Sequence, residues 1–199
     1  MMKSIMISIK PKWCELIASG EKTIEIRKTR PKIDTPFKCY IYCTNSGRPL
    51  VWGSPTPYLT DERLTQTYGY SREDAEKIFG CWNGKVIGEF VCDEIYTIDC
   101  DSTGFFYKGK QGYVKKELEY NSCLLEGDIF SYLFPNVGYS WHISELKIYD
   151  EPKELYSFVK PCDREYDCCV CMRWDNSVQN CEDSIINPPK SWCYVDELR

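Results

Sequence analysis

The spacing of apolar positions changes character several times within the first 45 residues. Residues 5–9 (IMISI) read as a short strand. Pro11 then stands where a helix can begin, because the amide hydrogen it lacks would have no partner in a first turn. Trp13 with Ile17, and Cys14 with Ala18, are i,i+4 pairs that form one apolar stripe with Leu16 at its edge. Gly20 falls where a left-handed C-terminal cap is expected. From Thr23 the period becomes two: Ile24 and Ile26 face one way, while Thr23, Glu25 and Arg27 face the other. The pattern predicts strand, short helix, glycine stop and half-buried strand.

Residues 37–43 are apolar on both faces, with Cys39, Ile41 and Cys43 opposite Tyr40 and Tyr42, as in a strand covered on both sides. Its cysteines read as core. Residues 45–70 keep no period and read as a long loop with at most one helical turn near 61–64. Ser71 and Asp74 form a capping pair for a helix ending near Gly80. Asn83-Gly84 is a turn signal ahead of residues 85–98, the longest strand candidate. Residues 101–121 are polar, charged and aromatic; residues 123–134 can form a helix, and 139–149 return to strand character. The segment from Pro188 to Val195 begins stiff and ends as an aromatic strand-like run, expected to dock rather than leave Trp192, Tyr194 and Val195 exposed. Strands separated by single helices point to a mixed barrel.

At 199 residues and 43% hydrophobic, the chain can fill one core of roughly 150 residues plus an appendage. The predicted division is a barrel domain at 1–150 and a cysteine-rich extension at 151–199. Thirty acidic against 25 basic residues give a formal charge of −5, which opposes broad binding to phosphate backbone. A nucleic-acid partner would have to meet a local basic patch. The N-terminus has no apolar run of the length a secretion signal needs, and no stretch approaches the roughly 18 apolar residues of a membrane span. Thirteen cysteines is an odd number, and with no secretion signal they read as reduced thiols, so the expected location is cytoplasmic, away from membranes.

The segment Gly20-Glu21-Lys22-Thr23-Ile24-Glu25-Ile26-Arg27 fits G-x-K-x-x-E-x-R directly after the short helix. In that context it resembles the signature of the ASCH family, relatives of the PUA RNA-binding modules. The resemblance extends through residues 86–92 and 139–143, and so covers about residues 4–150; the tail is similar to that of longer bacterial and phage members. It implies an α+β fold, a PUA-like mixed β-barrel flanked by short helices, with an irregular cysteine-rich C-terminal extension. It also implies a cleft beside the helix that binds RNA, a nucleotide or a modified nucleoside. The candidate ligand-binding residues are Lys22, Thr23, Glu25, Arg27, Trp141 and His142. Glu25 and Arg27, at i and i+2, set a carboxylate acceptor beside a planar guanidinium donor, and Lys22 reaches the cleft from its rim.

Two further readings stay open. Some small ASCH proteins resemble amidohydrolases acting on N4-acylated cytidine through a lysine, a threonine and a glutamate. Lys22 matches that lysine, but Glu25 stands at the threonine position. Other relatives cleave RNA, for which His142 would be one acid-base partner; if the chain is an enzyme, Lys22 and Glu25 are the catalytic candidates. The third reading is a protein-interaction adaptor. Against all three stands the plain one, in which Lys22, Glu25 and Arg27 are a solvated ion-pair ladder with each pair contributing at most about 1 kcal/mol. Trp141 and His142 are adjacent on a strand and face opposite sides, so one of them is expected to be structural.

Six cysteines lie between Cys162 and Cys193 in a polar, charged stretch. Cys162, Cys168, Cys171 and Cys181 are candidate ligands of a structural Zn²⁺, which would supply folding energy that the segment lacks. Cys168 and Cys171 form one C-x-x-C pair without a second, so reduced thiols packed on the barrel are the alternative.

Overall fold

The N-terminal pattern produces the elements it predicts. β1 (Ser4–Ile9) buries every residue after Ser4. α1 (Pro11–Ala18) carries its proline in the first turn and buries Cys14 and Ile17. The chain leaves the helix through Gly20 at φ +78°, a conformation in which a Cβ is strained. β2 (Ile24–Arg27) and β3 (Phe37–Cys43) follow. This computed structural model of the chain describes residues 4–45, 69, 71, 73–74, 81–108, 115–161 and 184–197.

Two sheets organise the described strands. One has six strands in the order β8 (Ser144–Lys153), β4 (Val86–Cys92), β3, β1, β10 (Trp192–Glu197), β9 (Phe158–Val159), the other four in the order β2, β7 (Gly138–His142), β5 (Ile95–Asp101), β6 (Gly104–Tyr107). β1 and β3 pair in parallel, the connection between them running through α1 and β2. The α+β character expected from the sequence holds. The ring of strand pairs that a closed barrel needs is not formed among the described residues.

The expected single strand at 85–98 is divided into β4 (Val86–Cys92) and β5 (Ile95–Asp101), and that at 139–149 into β7 (Gly138–His142) and β8 (Ser144–Lys153). At each break the chain passes from one sheet to the other. Apolar periodicity does not report these corners, because Ile143 and Ile95 on either side of them face the same core as their neighbours. Hydrogen bonds do report them: His142 N–H donates to the Glu94 carbonyl at 3.0 Å, and Ile143 N–H to the Thr23 carbonyl at 2.9 Å. The polar stretch 101–121 holds a strand the sequence did not reveal, β6 (Gly104–Tyr107), whose Phe105 and Tyr107 are buried while Phe106 is exposed. It also holds most of α2 (Lys115–Ser122). α3 (Glu126–Leu133) forms within the predicted 123–134.

The side chains sort into three apolar layers. Ile5, Ile7, Cys39, Ile41 and Trp141 meet between the two sheets, roofed at one end by α1. Met6, Tyr40, Tyr42, Phe158 and Val195 cover the opposite face of the six-stranded sheet. β3 is thus apolar on both sides, as predicted. Ile24, Ile26 and Phe105 pack beneath α2 and α3 on the far face of the smaller sheet. Each fully buried aliphatic side chain contributes about 1.5–3 kcal/mol.

The aromatic C-terminal run docks as expected. β10 (Trp192–Glu197) pairs antiparallel with β1 and with β9 (Phe158–Val159), the latter preceded by a 3₁₀ turn at Leu155–Ser157. Tyr40 donates to Glu197 at 3.0 Å, and Lys153 pairs with the same carboxylate. Asp74 N–H donates to Ser71 Oγ at 3.2 Å, the predicted cap; the helix expected to run to Gly80 and nearly all of the 45–70 loop lie outside the described residues. No helix among the described residues is long and apolar enough to cross a membrane.

Candidate functional site

Lys22 follows the glycine stop of α1 immediately, and its backbone N–H returns to the Leu16 carbonyl at 2.9 Å. Its side chain turns inward rather than onto the rim and is only 2% exposed. An isolated buried ammonium would cost several kcal/mol. Here three donors meet three acceptors: Nζ donates at 2.8 Å to the Ile24 carbonyl, at 2.8 Å to the Ser122 carbonyl, and lies 3.2 Å from Glu25 Oε2. Ser122 ends α2, so its carbonyl lacks a partner within the helix and sits at the negative end of the helix dipole. The lysine therefore satisfies a helix terminus and a carboxylate together.

Glu25 is buried and bridges two cations. Its other oxygen is 3.1 Å from Arg27 Nη2, which also donates to the Ser8 carbonyl at 2.6 Å. Arg27 Nε is buried without a partner. The i,i+2 geometry read from the strand period is thus realised, and Ser8 extends it: the buried serine of β1 joins the row through its backbone.

This row forms part of the wall of a cavity of about 700 Å³, within the span of about 300–1,000 Å³ typical of small-molecule sites. Trp13 from α1 and Tyr132 from α3 supply aromatic walls, and Pro188 and Pro189, just before β10, close another side. Partial burial pushes the Tyr132 phenol up, Arg27 opposes the shift and Glu25 adds to it. Burial likewise raises the Tyr42 phenol. Both hydroxyls therefore stay protonated at neutral pH and can donate. Lys22 has no donor left, so within the buried row the groups free to meet a ligand are the remaining lone pairs of Glu25 and the unpaired N–H groups of Arg27.

The other predicted residues lie elsewhere. Thr23 is half-buried and absent from the cavity wall; its backbone donates to the Asn121 carbonyl and accepts from Ile143. Trp141 stands opposite Glu25 in the β2–β7 register but is wholly buried, edge-on to Phe37 at 5.8 Å and tilted against Trp192 at 6.1 Å. Its indole nitrogen has no partner. His142 faces away from Trp141 at the sheet corner, half-exposed, with Nδ1 2.7 Å from Asp93 Oδ1. Burial alone would raise the Asp93 carboxyl, yet its bond to His142 holds it below the usual carboxylate range. Cys162, Cys168, Cys171 and Cys181, and with them the expected zinc, lie outside the described residues. Among the described residues no group of three or more His, Cys, Asp or Glu side chains is placed to hold a metal.

Ser8, Trp13, Tyr132 and the 188–190 segment were not read as site residues from the sequence. A serine inside an otherwise apolar strand is a local signal that could have been used; Tyr132 and Pro189 carry none, because only the tertiary fold brings them to β2.

Residues 7–90, the segment bearing this row, match the family model of the ASCH domain. The whole fold is similar to the crystal structure of ASCH from Zymomonas mobilis, with a TM-score of 0.51 and 17% identity over 99% of this chain and 88% of that one. It is also similar to two variants of that protein. The tyrosine-to-phenylalanine variant has a TM-score of 0.49 and 16% identity, covering 99% of this chain and 91% of that one. The serine-to-alanine variant has a TM-score of 0.46 and 16% identity, covering 99% and 89%. No curated protein sequence matches the chain. The match over residues 7–90 is to the family that the G-x-K-x-x-E-x-R segment resembles.

Proposed function

We propose that this protein is a binding module for RNA-derived ligands, a nucleotide or a modified nucleoside, received in the cavity beside Glu25 and Arg27. The observation that carries this reading is the buried Lys22–Glu25–Arg27 row on the wall of a cavity of about 700 Å³. A base edge presents donors and acceptors side by side, and a carboxylate next to a guanidinium offers the complementary pair: Glu25 accepts from an exocyclic amine while Arg27 donates to a ring nitrogen or carbonyl. The aromatic walls suit the faces of a base, where stacking contributes about 1–3 kcal/mol. Lys22 acts here as a positioning residue, holding the Glu25 carboxylate and the end of α2 in fixed relation.

The 3.2 Å approach of Lys22 to Glu25 also supports a second reading, a hydrolase in which these two groups move protons. It ranks second because all three Nζ donors are engaged, so Lys22 must release a carbonyl before it can act as base or nucleophile. Calorimetric titration with ribonucleosides, N4-acetylcytidine and short RNAs, followed by chromatography of the mixtures, separates the two. Saturable binding without product supports the module, and product that vanishes in Glu25→Gln supports the hydrolase. Absence of binding across the panel contradicts both and leaves the adaptor.

A further inference from the structure

The lining of the cavity, in which the exposed Asp128 is the second carboxylate beside Glu25, has a charge character opposite to that of the chain. Against a formal charge of −5 overall, the described lining carries four cationic side chains and two anionic ones. Two of the cations, Lys22 and Arg27, are occupied by Glu25. The other two, Lys10 and Lys190, are exposed, and neither makes an ion pair with a described residue. They come from opposite ends of the sequence, yet β1 fixes the backbone of both. Lys10 directly follows β1 as the residue capping α1, its carbonyl accepting from Trp13 and Cys14 at 2.9 and 3.0 Å. Lys190 lies between Pro189, whose carbonyl accepts from Ser8 Oγ at 2.6 Å, and Ser191, whose carbonyl accepts from Ser8 N–H at 2.9 Å. Ser8 also holds Arg27 through its own carbonyl. One serine therefore links the inner row to the segment that presents the outer lysine.

We infer that the site takes a phosphorylated ligand, a nucleoside monophosphate in preference to a nucleoside, with the phosphate held at the mouth by Lys10 and Lys190 while the base meets Glu25 and Arg27. The inference rests on the reading of the cavity as a nucleoside site and specifies its substrate class. Two exposed ammonium groups carried on fixed backbone at one cavity, in a chain that is acidic overall, concentrate a phosphate dianion where a neutral ribose gains nothing. The arrangement places recognition of the phosphate partly in residue 190, outside the segment that matches the ASCH domain.

The test is calorimetric titration of the full chain with cytidine, uridine, adenosine and guanosine and with their 3′- and 5′-monophosphates, at low and high salt, for wild type and for Lys10→Gln with Lys190→Gln combined. At low salt the expected result is a monophosphate bound about tenfold tighter than its nucleoside, a preference that salt erodes. The paired substitution should abolish that preference and leave nucleoside affinity unchanged. Both lysines are exposed, so the variant is expected to fold as wild type does, and circular dichroism checks this. Equal affinity for nucleoside and monophosphate in wild type overturns the inference while sparing the nucleoside reading, as does a preference that survives the substitution. Binding of neither class overturns both.

Discussion

Lys22–Glu25 and Lys115–Glu126 are both lysine–glutamate pairs, 3.2 and 2.9 Å apart. Charge type and separation give no reason to treat them differently; in the sequence only the G-x-K-x-x-E-x-R segment sets the first apart. Their surroundings do. The first pair has side chains 2% and 10% exposed, the second 41% and 53%. In water the second gains little, because solvent and salt screen the attraction and two long side chains lose freedom in meeting. In the interior the first cannot be left incomplete: the ammonium depends on the carboxylate and on two carbonyls, and the carboxylate on the ammonium and on Arg27. The solvated ladder allowed by the sequence therefore describes the α2–α3 surface and not β2, and burial is what separates the two.

The comparison is most severely tested by Lys22→Met, which keeps the length of the side chain and removes its charge. It strands Glu25 beside one cation and leaves the Ile24 and Ser122 carbonyls without their donor. The expected loss is about 3–5 kcal/mol in urea unfolding, and a loss below about 1 kcal/mol would place Lys22 with the surface pairs. Glu25→Gln preserves the shape of the row while leaving Lys22 and Arg27 in mutual repulsion. A destabilisation of about 2–3 kcal/mol is expected by the same measurement, with ligand affinity falling more than in any substitution at the cavity mouth.

The corner pair His142–Asp93, 41% and 39% exposed, stands near the surface extreme and sharpens the comparison through pH. Asp93 is held below its ordinary value in the folded state. Its contribution is thus present above the unfolded carboxyl pKa of about 4 and is lost as pH falls through the lower folded value. Acid titration of stability in Asp93→Asn should show a shallower decline below about pH 4 than wild type, with a difference under about 1 kcal/mol at neutral pH for so exposed a pair. An unchanged acid limb would mean that the pair does not persist in solution. Lys115→Ala should be smallest of all, within about 0.5 kcal/mol of wild type in the same unfolding assay.

The inner row was legible in part. Strand period placed Glu25 and Arg27 on one face, and the glycine stop placed Lys22 at its start, because those relations are local. What made Lys22 buried was not local: its acceptor Ser122 stands 100 residues away, at the end of a helix the sequence left unassigned. Trp141 was a fair candidate for stacking on composition alone, but its opposing register with Glu25 turns it into the layer between the sheets, where Phe37 and Trp192 receive it. The long strand candidates failed at Asp93–Glu94 and Ile143 for a similar reason. A chain that passes between two sheets facing one core stays apolar through the corner, and only the hydrogen bonds change partners.

The central claim, that ligand enters beside Glu25 and Arg27 and not at the Trp141–His142 strand, is tested most directly by nitrogen-resolved NMR during titration with the ribonucleosides and their monophosphates. Arg27 Nε–H is shielded from solvent, Trp13 lies on the cavity wall and Trp141 is sealed in the core. The account predicts saturable shifts of the Arg27 Nε and Trp13 indole signals with the Trp141 indole unmoved. Shifts confined to Trp141 and the His142 ring, with Arg27 and Trp13 silent, would contradict it.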